Sequence, residues 1–302
     1  MPKIAQVGCG LWGQKILHEL VILGQSVDIY DLNPMREAAA LKIGAAAFYE
    51  HWTGLAEYDG VILATPSSTH RHLLEQILPF AIPVFVEKPL TTSLQDALAL
   101  ERYRTDKLFM MHTWIYHPAI LMLGEIARSG ELGALLGLRS TRGNWTSPRK
   151  DTDTVWNLAP HDLTIAKIIM GGIPEPRCAV AERHDGKIRS FTAILGKSPS
   201  FVFEVSNRYE QKIREVRANF ERGIAVFESD ELGAIKILHG DAQSEIEDVQ
   251  VEYRRYPDVT ALRLELQEFV SHLGGGPAPR SSFQDGLEIV KTIDKLIELA
   301  GE

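Results

Sequence analysis

Three stretches of the chain carry residue types that could do chemistry. The first is Gly8-x-Gly10-x-x-Gly13, which follows the apolar run Ile4 to Val7 and opens the amphipathic stretch Leu11 to Leu23. In a strand–turn–helix of this kind the first glycine permits a tight turn, the second lets the backbone approach a pyrophosphate, and the third lets helix and strand pack closely. Backbone N–H groups at the helix start then face the anion. A second run, Val27 to Tyr30, ends in Asp31, near the ~20-residue offset at which an acid meets the ribose hydroxyls. An acid there accepts from a 2′-hydroxyl and repels a 2′-phosphate, so the pattern reads NAD over NADP. Arg36 works against that preference, and the plain alternative for Asp31 is a turn opener before Asn33-Pro34.

The second stretch is Glu87-Lys88-Pro89, at the end of the apolar run Pro83 to Val86. A lysine at the mouth of a buried sheet is desolvated, which lowers an ammonium pKa and suits it to exchange a proton near neutral pH. A solvated lysine ending a strand is the alternative. The third is Asn157-x-x-x-His161, within Trp156-Asn-Leu-Ala-Pro-His-Asp162. Asn157 is predicted as a helix N-cap, with Pro160 in the first turn and His161 on the same side four residues on. A capping Asn with a partly buried His is the plainer reading. His70-x-His72 has no further ligand cluster near it, so no metal is expected.

The elements that position these residues change character along the chain. Runs at 3–8, 26–31, 60–65, 83–87 and 107–112, with a weaker one at 45–49, alternate with helical patterns such as 34–43 and 68–79. This predicts parallel β-α-β units in a doubly wound sheet of Rossmann type over 1–115. Residues 116–280 read differently. Helical patterns at 117–129 and 158–170 flank a strand near 134–145. Strands then follow at 176–184, 188–196, 200–209, 213–220, 223–229 and 234–239, with Asp185-Gly186 as a hairpin turn. Strands without helices between them predict an open, mostly antiparallel sheet, with helices on one face and a second subunit on the other. A last helix, 283–300, within 281–302, is expected to pack back on the first domain. The fold class is α/β plus α+β.

Composition narrows the partners. A length of 302 residues predicts two domains, since single cores seldom exceed ~250–300 residues. A net charge of −8 argues against nucleic acid, and no apolar run approaches the ~18 residues of a membrane span. Cys9 and Cys178 are the only cysteines, and Cys9 sits in the glycine turn. No disulfide is therefore expected, and a reducing cytoplasm is the expected compartment.

Taken with Ala64-Thr65-Pro66, these motifs resemble the Gfo/Idh/MocA oxidoreductases, over nearly the whole chain. The resemblance implies a Rossmann domain, an open-sheet substrate domain and the interconversion of a hydroxyl and a ketone on a sugar, cyclitol or nucleotide-sugar with NAD(P). It assigns Lys88 to the reacting hydroxyl, with His161 and Asn157 as its catalytic neighbours. The family's Asp-x-x-x-His falls on Asn157 and His161, so the histidine is kept and the carboxylate is an amide. Asp162 or Asp153 could replace the charge, although Asp162 points about 100° away from His161 on a helix. A nucleotide-binding sensor or scaffold with weak or no catalysis is the alternative that Asn157 raises. The cofactor-binding set is Gly8, Gly10, Leu11, Trp12, Gly13, Asp31, Leu32, Arg36, Ala64, Thr65, Pro66, His70, Glu87 and Lys88. The stretches 111–118 and 156–162 look like a subgroup associated with sugar nucleotides. Tyr116, His117, Trp145 and Trp156 are expected in the substrate pocket wall, and Arg142, Arg149 and Lys150 opposite a diphosphate. A homodimer or homotetramer through the C-terminal sheet is expected.

Overall fold

The computed structural model describes residues 2–52, 54–145 and 152–301, and the chain divides into two compact units, Met1–Thr113 with Thr260–Val290 and Trp114–Val259 with Lys291–Glu302. The first unit begins as strand–helix alternation: β1 (Ile4–Val7), α1 (Leu11–Ile22), β2 (Val27–Tyr30), α2 (Glu37–Ile43), β3 (Ala47–Tyr49), β4 (Gly60–Leu63), α3 (His70–Ile77), β5 (Val84–Glu87), α4 (Leu94–Ala99) and β6 (Leu108–Met111). The strands pair in parallel in the order β3-β2-β1-β4-β5-β6. Order reverses beside β1, the switch point outside which ligands bind in such sheets. β1, β4, β5 and β6 are buried along their whole length, as strands covered on both faces must be. α3 has no side-chain cap. Thr69 precedes it, and its hydroxyl bonds back to Thr65 and Pro66.

The second unit holds α5 (Pro118–Ser129), β7 (Leu135–Trp145), α6 (Thr154–Met170), β8 (Pro176–His184), β9 (Lys187–Gly196), β10 (Ser200–Ser206), β11 (Arg208–Phe220), β12 (Gly223–Phe227), β13 (Ala234–His239) and β14 (Gln250–Arg255). The strands form one eight-stranded sheet, β14-β13-β12-β11-β7-β10-β9-β8, antiparallel except between β7 and β10. Asp185 and Gly186 both have positive φ, 50° and 69°, as the tightest hairpin turns require. α6 runs against β9 and β10, whose Phe191, Phe201 and Phe203 are almost wholly buried.

Residues 260–280, assigned on sequence to the second domain, belong to the first unit. They carry α7 (Ala261–Leu273), whose Leu262, Leu266 and Phe269 join the core formed by Ile4, Ile16, Val27 and Phe85. The sequence reading passed over α7, β14 and α4. α8 (Phe283–Leu299) opens beside β6: Met110 N–H donates to Ser281 O, and a β-carbon at Gly286 would stand 2.8 Å from the Met110 side chain. Only Phe283–Val290 falls in the first unit, and the rest of α8 falls in the second.

Phe269 is fully buried and stacks on Phe85 with ring centroids 4.8 Å apart. Truncating such a ring costs about 3–5 kcal/mol, so Phe269→Ala should lower unfolding free energy by that amount in a denaturant titration. A loss below about 1 kcal/mol would remove α7 from the core.

Candidate active site

Gly8 adopts φ +99°, and a β-carbon there would stand 2.5 Å from Ala64 O. At Gly13 the same atom would lie 2.4 Å from Gly8 O. Gly10 differs, because the nearest group to its β-carbon position is Arg36 Nη1 at 4.0 Å. Two glycines are thus demanded by packing, while the third keeps one side of the turn open. Gln6, fully buried in β1, braces the loop by donating to Gly8 O and Gly13 O at 2.9 and 2.8 Å. The sequence reading missed it; a polar residue inside a buried strand was the available signal. Gly10 gives α1 no side-chain cap, and no acidic residue stands in its first turn.

Asp31 is buried and accepts from Cys9 N–H at 2.7 Å, Asn33 N–H at 2.9 Å and Arg36 Nη1 at 2.6 Å. Burial, with the Asp31 charge second, pushes the Cys9 thiol up to about 11, so it is neutral and inert. Leu11 and Leu32 are 87% and 78% exposed. An open glycine turn, an uncapped helix start and a fixed carboxylate with apolar side chains beside it fit a dinucleotide.

The next strand ends are tied together. His70 is fully buried, with Nδ1 2.9 Å from Pro89 O and Nε2 3.1 Å from Thr65 O. It is a strut between two loops. Ala64 and Thr65 are half-buried and Pro66 is exposed. Glu87 is buried. It accepts from the Trp12 indole N–H and, at 3.0 Å, from the Lys88 backbone N–H. Lys88 is half-buried and precedes a cis peptide to Pro89.

Behind these loops lies a carboxyl that the sequence did not signal. Glu265 of α7 is fully buried. Its Oε2 accepts from the Thr113 hydroxyl at 2.9 Å, and Oε1 has no hydrogen-bond partner. Burial pushes this acid well above the ordinary carboxylate range, the Glu87 charge adds to the shift and the Thr113 hydrogen bond opposes it.

In the second unit α6 starts one turn before the predicted cap. Asp153 is its N-cap, Asn157 sits inside the helix with its N–H bonded to Asp153 O, and Pro160 lies in the helix interior. The helix bears this because Pro160 removes one donor while the turns either side stay buried. Asn157, Leu158 and His161 form its half-exposed stripe. Asp162 points elsewhere: its Oδ2 accepts from Arg142 Nε at 2.9 Å, with both side chains buried. Arg142 also lies over the Trp114 ring, 4.3 Å from its centroid. His117 stacks on Trp114 at 4.9 Å, and its Nε2 lies 2.8 Å from Asp230 Oδ1. That bond, more than the opposing burial, lowers the Asp230 pKa.

Arg142 and His161 share a cavity with Trp114. The other expected wall residues do not join them there. Tyr116 is fully buried and Trp156 nearly so, both being large apolar surfaces taken into the core, while Trp145 is 68% exposed beneath Arg208. Arg149 and Lys150 lie outside the described residues. Among the described residues, no group of three His, Cys, Asp or Glu could hold a metal, and no helix is long and apolar enough to cross a membrane.

Residues 3–110 match the family model GFO_IDH_MocA, described as an oxidoreductase family with an NAD-binding Rossmann fold. The UDP-N-acetylglucosamine 3-dehydrogenase of Acidithiobacillus ferrooxidans is 29% identical over 173 residues, 56% of this chain and 54% of that enzyme. The aligned sequence thus spans only about half of that relative's length. Its solved structure overlays 99% of this chain and 97% of its own, with TM-score 0.83 and 22% identity. The inositol 2-dehydrogenase of Pseudarthrobacter chlorophenolicus is 25% identical over 249 residues, 74% of this chain and 72% of that enzyme. An oxidoreductase from Agrobacterium radiobacter, solved with NAD+, L-tartaric acid and magnesium, overlays 100% of this chain and 96% of its own, with TM-score 0.84 and 18% identity. At these identities the solved structures establish a shared fold.

Glu265 gives a pH prediction. An acid whose folded pKa lies above its unfolded value contributes stability that is complete below the unfolded value and lost as pH rises through the folded one. Stability should therefore fall as pH rises above about 4.3, and Glu265→Gln, which cannot ionise, should escape that loss. Thermal melts should show the variant gaining on wild type between pH 5 and pH 8. A gap that stays constant would mean that Glu265 is not held neutral.

Proposed function

We propose that the chain, whose residues 3–110 match the Gfo/Idh/MocA oxidoreductase family model, is a member of that family and an NAD-dependent dehydrogenase or ketoreductase acting on a sugar, a cyclitol or a nucleotide-sugar. The observation that carries this reading is the link from Trp12 of the glycine-turn helix through the Glu87 carboxylate to the Lys88 backbone. It fixes the backbone of a half-buried lysine relative to the glycine turn. The relatives' named substrates, a UDP-sugar and an inositol, share the secondary alcohol that this chemistry oxidises.

Gly8, Gly10 and Gly13 with the α1 N–H groups would hold the pyrophosphate, and Asp31 the adenosine ribose, which favours NAD over NADP. The bound nicotinamide accepts or supplies the hydride. Lys88 takes the proton of the reacting hydroxyl in oxidation and returns it in reduction. His161 orients that hydroxyl. Asn157 holds another, since an amide can donate and accept without ionising. The same reading makes the chain a homodimer or homotetramer through the C-terminal sheet. The face away from α6 exposes Val180, Ile194, Val251 and Tyr253, which the strand register places on one side. Cys9 and Cys178 are free thiols, in keeping with a reducing cytoplasm.

Lys88→Ala should leave NADH affinity, followed by fluorescence, within a few-fold, while sugar-dependent turnover at 340 nm falls by about 10²–10⁴. An unchanged rate would take Lys88 out of the mechanism. Asn157→Asp should raise kcat, because a carboxylate beside the reacting groups steadies a developing positive charge. A fall would mean that the amide is itself required.

A further inference from the structure

The second unit contains a cavity whose walls are unusually rich in positive charge. The cavity, of about 70 Å³, is bounded by Arg142 and Asn144 of β7, Lys212 and Arg214 of β11, His161 of α6 and Trp114. Arg142 and Arg214 are direct cross-strand partners in the β7–β11 ladder. Like charges placed opposite one another destabilise a sheet pair. Both guanidiniums also lie over one indole, 4.3 and 5.9 Å from the Trp114 centroid. Burial, and then the Arg142 charge, pulls the Arg214 pKa below its ordinary value, while Asp230 opposes that shift.

The carboxylates nearby do not fill the space. Asp162 takes Arg142 Nε at 2.9 Å and is itself buried. Asp230 is 3.8 Å from Arg214 Nη1 and receives His117 at 2.8 Å through its other oxygen. Neither aspartate borders the cavity, whereas the three cations do. Two guanidiniums forced together, with the Lys212 side chain lining the same cavity, gain most when an oxyanion sits between them. Guanidinium forks match the planar geometry of carboxylate and phosphate.

We propose that this cavity is an oxyanion subsite, and that the substrate carries a carboxylate or phosphate held by Arg142, Arg214 and Lys212. Calling the ligand a substrate rests on the dehydrogenase reading; the binding does not.

Calorimetric titration of the whole protein with D-glucuronate, UDP and D-glucose tests it. At least one of the two anions should bind at least tenfold more tightly than glucose and weaken as salt rises. Arg214→Leu should weaken that anion by about 10–100-fold, as expected for a lost charge-assisted hydrogen bond, and Arg214→Lys should restore part of the loss. NADH fluorescence on both variants checks that the fold is intact. Binding of UDP alone identifies a phosphate as the anion, and binding of glucuronate alone a sugar carboxylate; either result supports the subsite when Arg214→Leu weakens it, which separates it from binding at the glycine turn. Glucose binding as tightly as both anions, neither anion binding at all, or Arg214→Leu and Arg214→Lys both binding like wild type would overturn it. If NADH binds but no sugar is ever oxidised, the dehydrogenase reading fails, and the anion isotherms still decide the subsite.

Discussion

There is no space for a β-carbon at Gly8 or Gly13, and the first unit is organised around that fact. The chain leaves β1, turns against the β4 carbonyl end and enters α1 with backbone in contact on both sides. The turn is therefore fixed by repulsion, the least adjustable force in a protein interior. Its hydrogen bonds then have no choice of partner. Gln6 reaches the two carbonyls of the turn, and Asp31 collects the Cys9 N–H. Trp12, carried on the first turn of α1, meets Glu87 at the end of β5. One steric constraint thus sets the amides of the turn, the Asp31 carboxylate and the backbone position of Lys88.

The second unit relies on the buried pair between Arg142 and Asp162. Replacing such a pair by well-packed apolar groups is often neutral, whereas removing one partner costs about 3–5 kcal/mol. Its value here is geometric. Asp162 facing β7 fixes the rotation of α6, and that rotation leaves Asn157, Leu158 and His161 as the half-exposed stripe. Pro160 sits within the same turn of helix and removes one of its backbone bonds, so the side-chain tether to a strand matters more than it would in an unbroken helix.

Much of this was legible in the sequence, and the misses have physical causes. Parallel strands buried on both faces give unbroken apolar runs, so β1, β4, β5 and β6 were readable to within a residue or two. The glycine triplet with Asp31 specified its own geometry. The start of α6 was misplaced because Asn157 and Pro160 together imitate an N-cap and first turn, while Asp153, one turn earlier, caps without a side-chain bond. α7 was missed although Leu262, Leu266 and Phe269 lie on one face, because the Gly274-Gly275-Gly276 break drew the boundary instead. Glu265 could not be foreseen: a glutamate on an amphipathic helix is normally solvated, and only the fold shows it enclosed. Arg214 was hidden because its meaning depends on β11 pairing with β7 in one register.

The amide at position 157 gains its meaning from the charges around it. Where the family pattern has a carboxylate, α6 presents an amide; Asp153, one turn earlier, accepts the Asn157 N–H at its backbone carbonyl, and Asp162 pairs with Arg142. Among the described residues the cavity wall then holds Arg214 and Lys212 and no acid. Asn157 stands one residue before Leu158 of the cavity wall, and as an amide it adds no charge there. The neutral amide of α6 and the opposed arginine pair of β7 and β11 thus belong to one unit, and the described wall of its cavity is cationic.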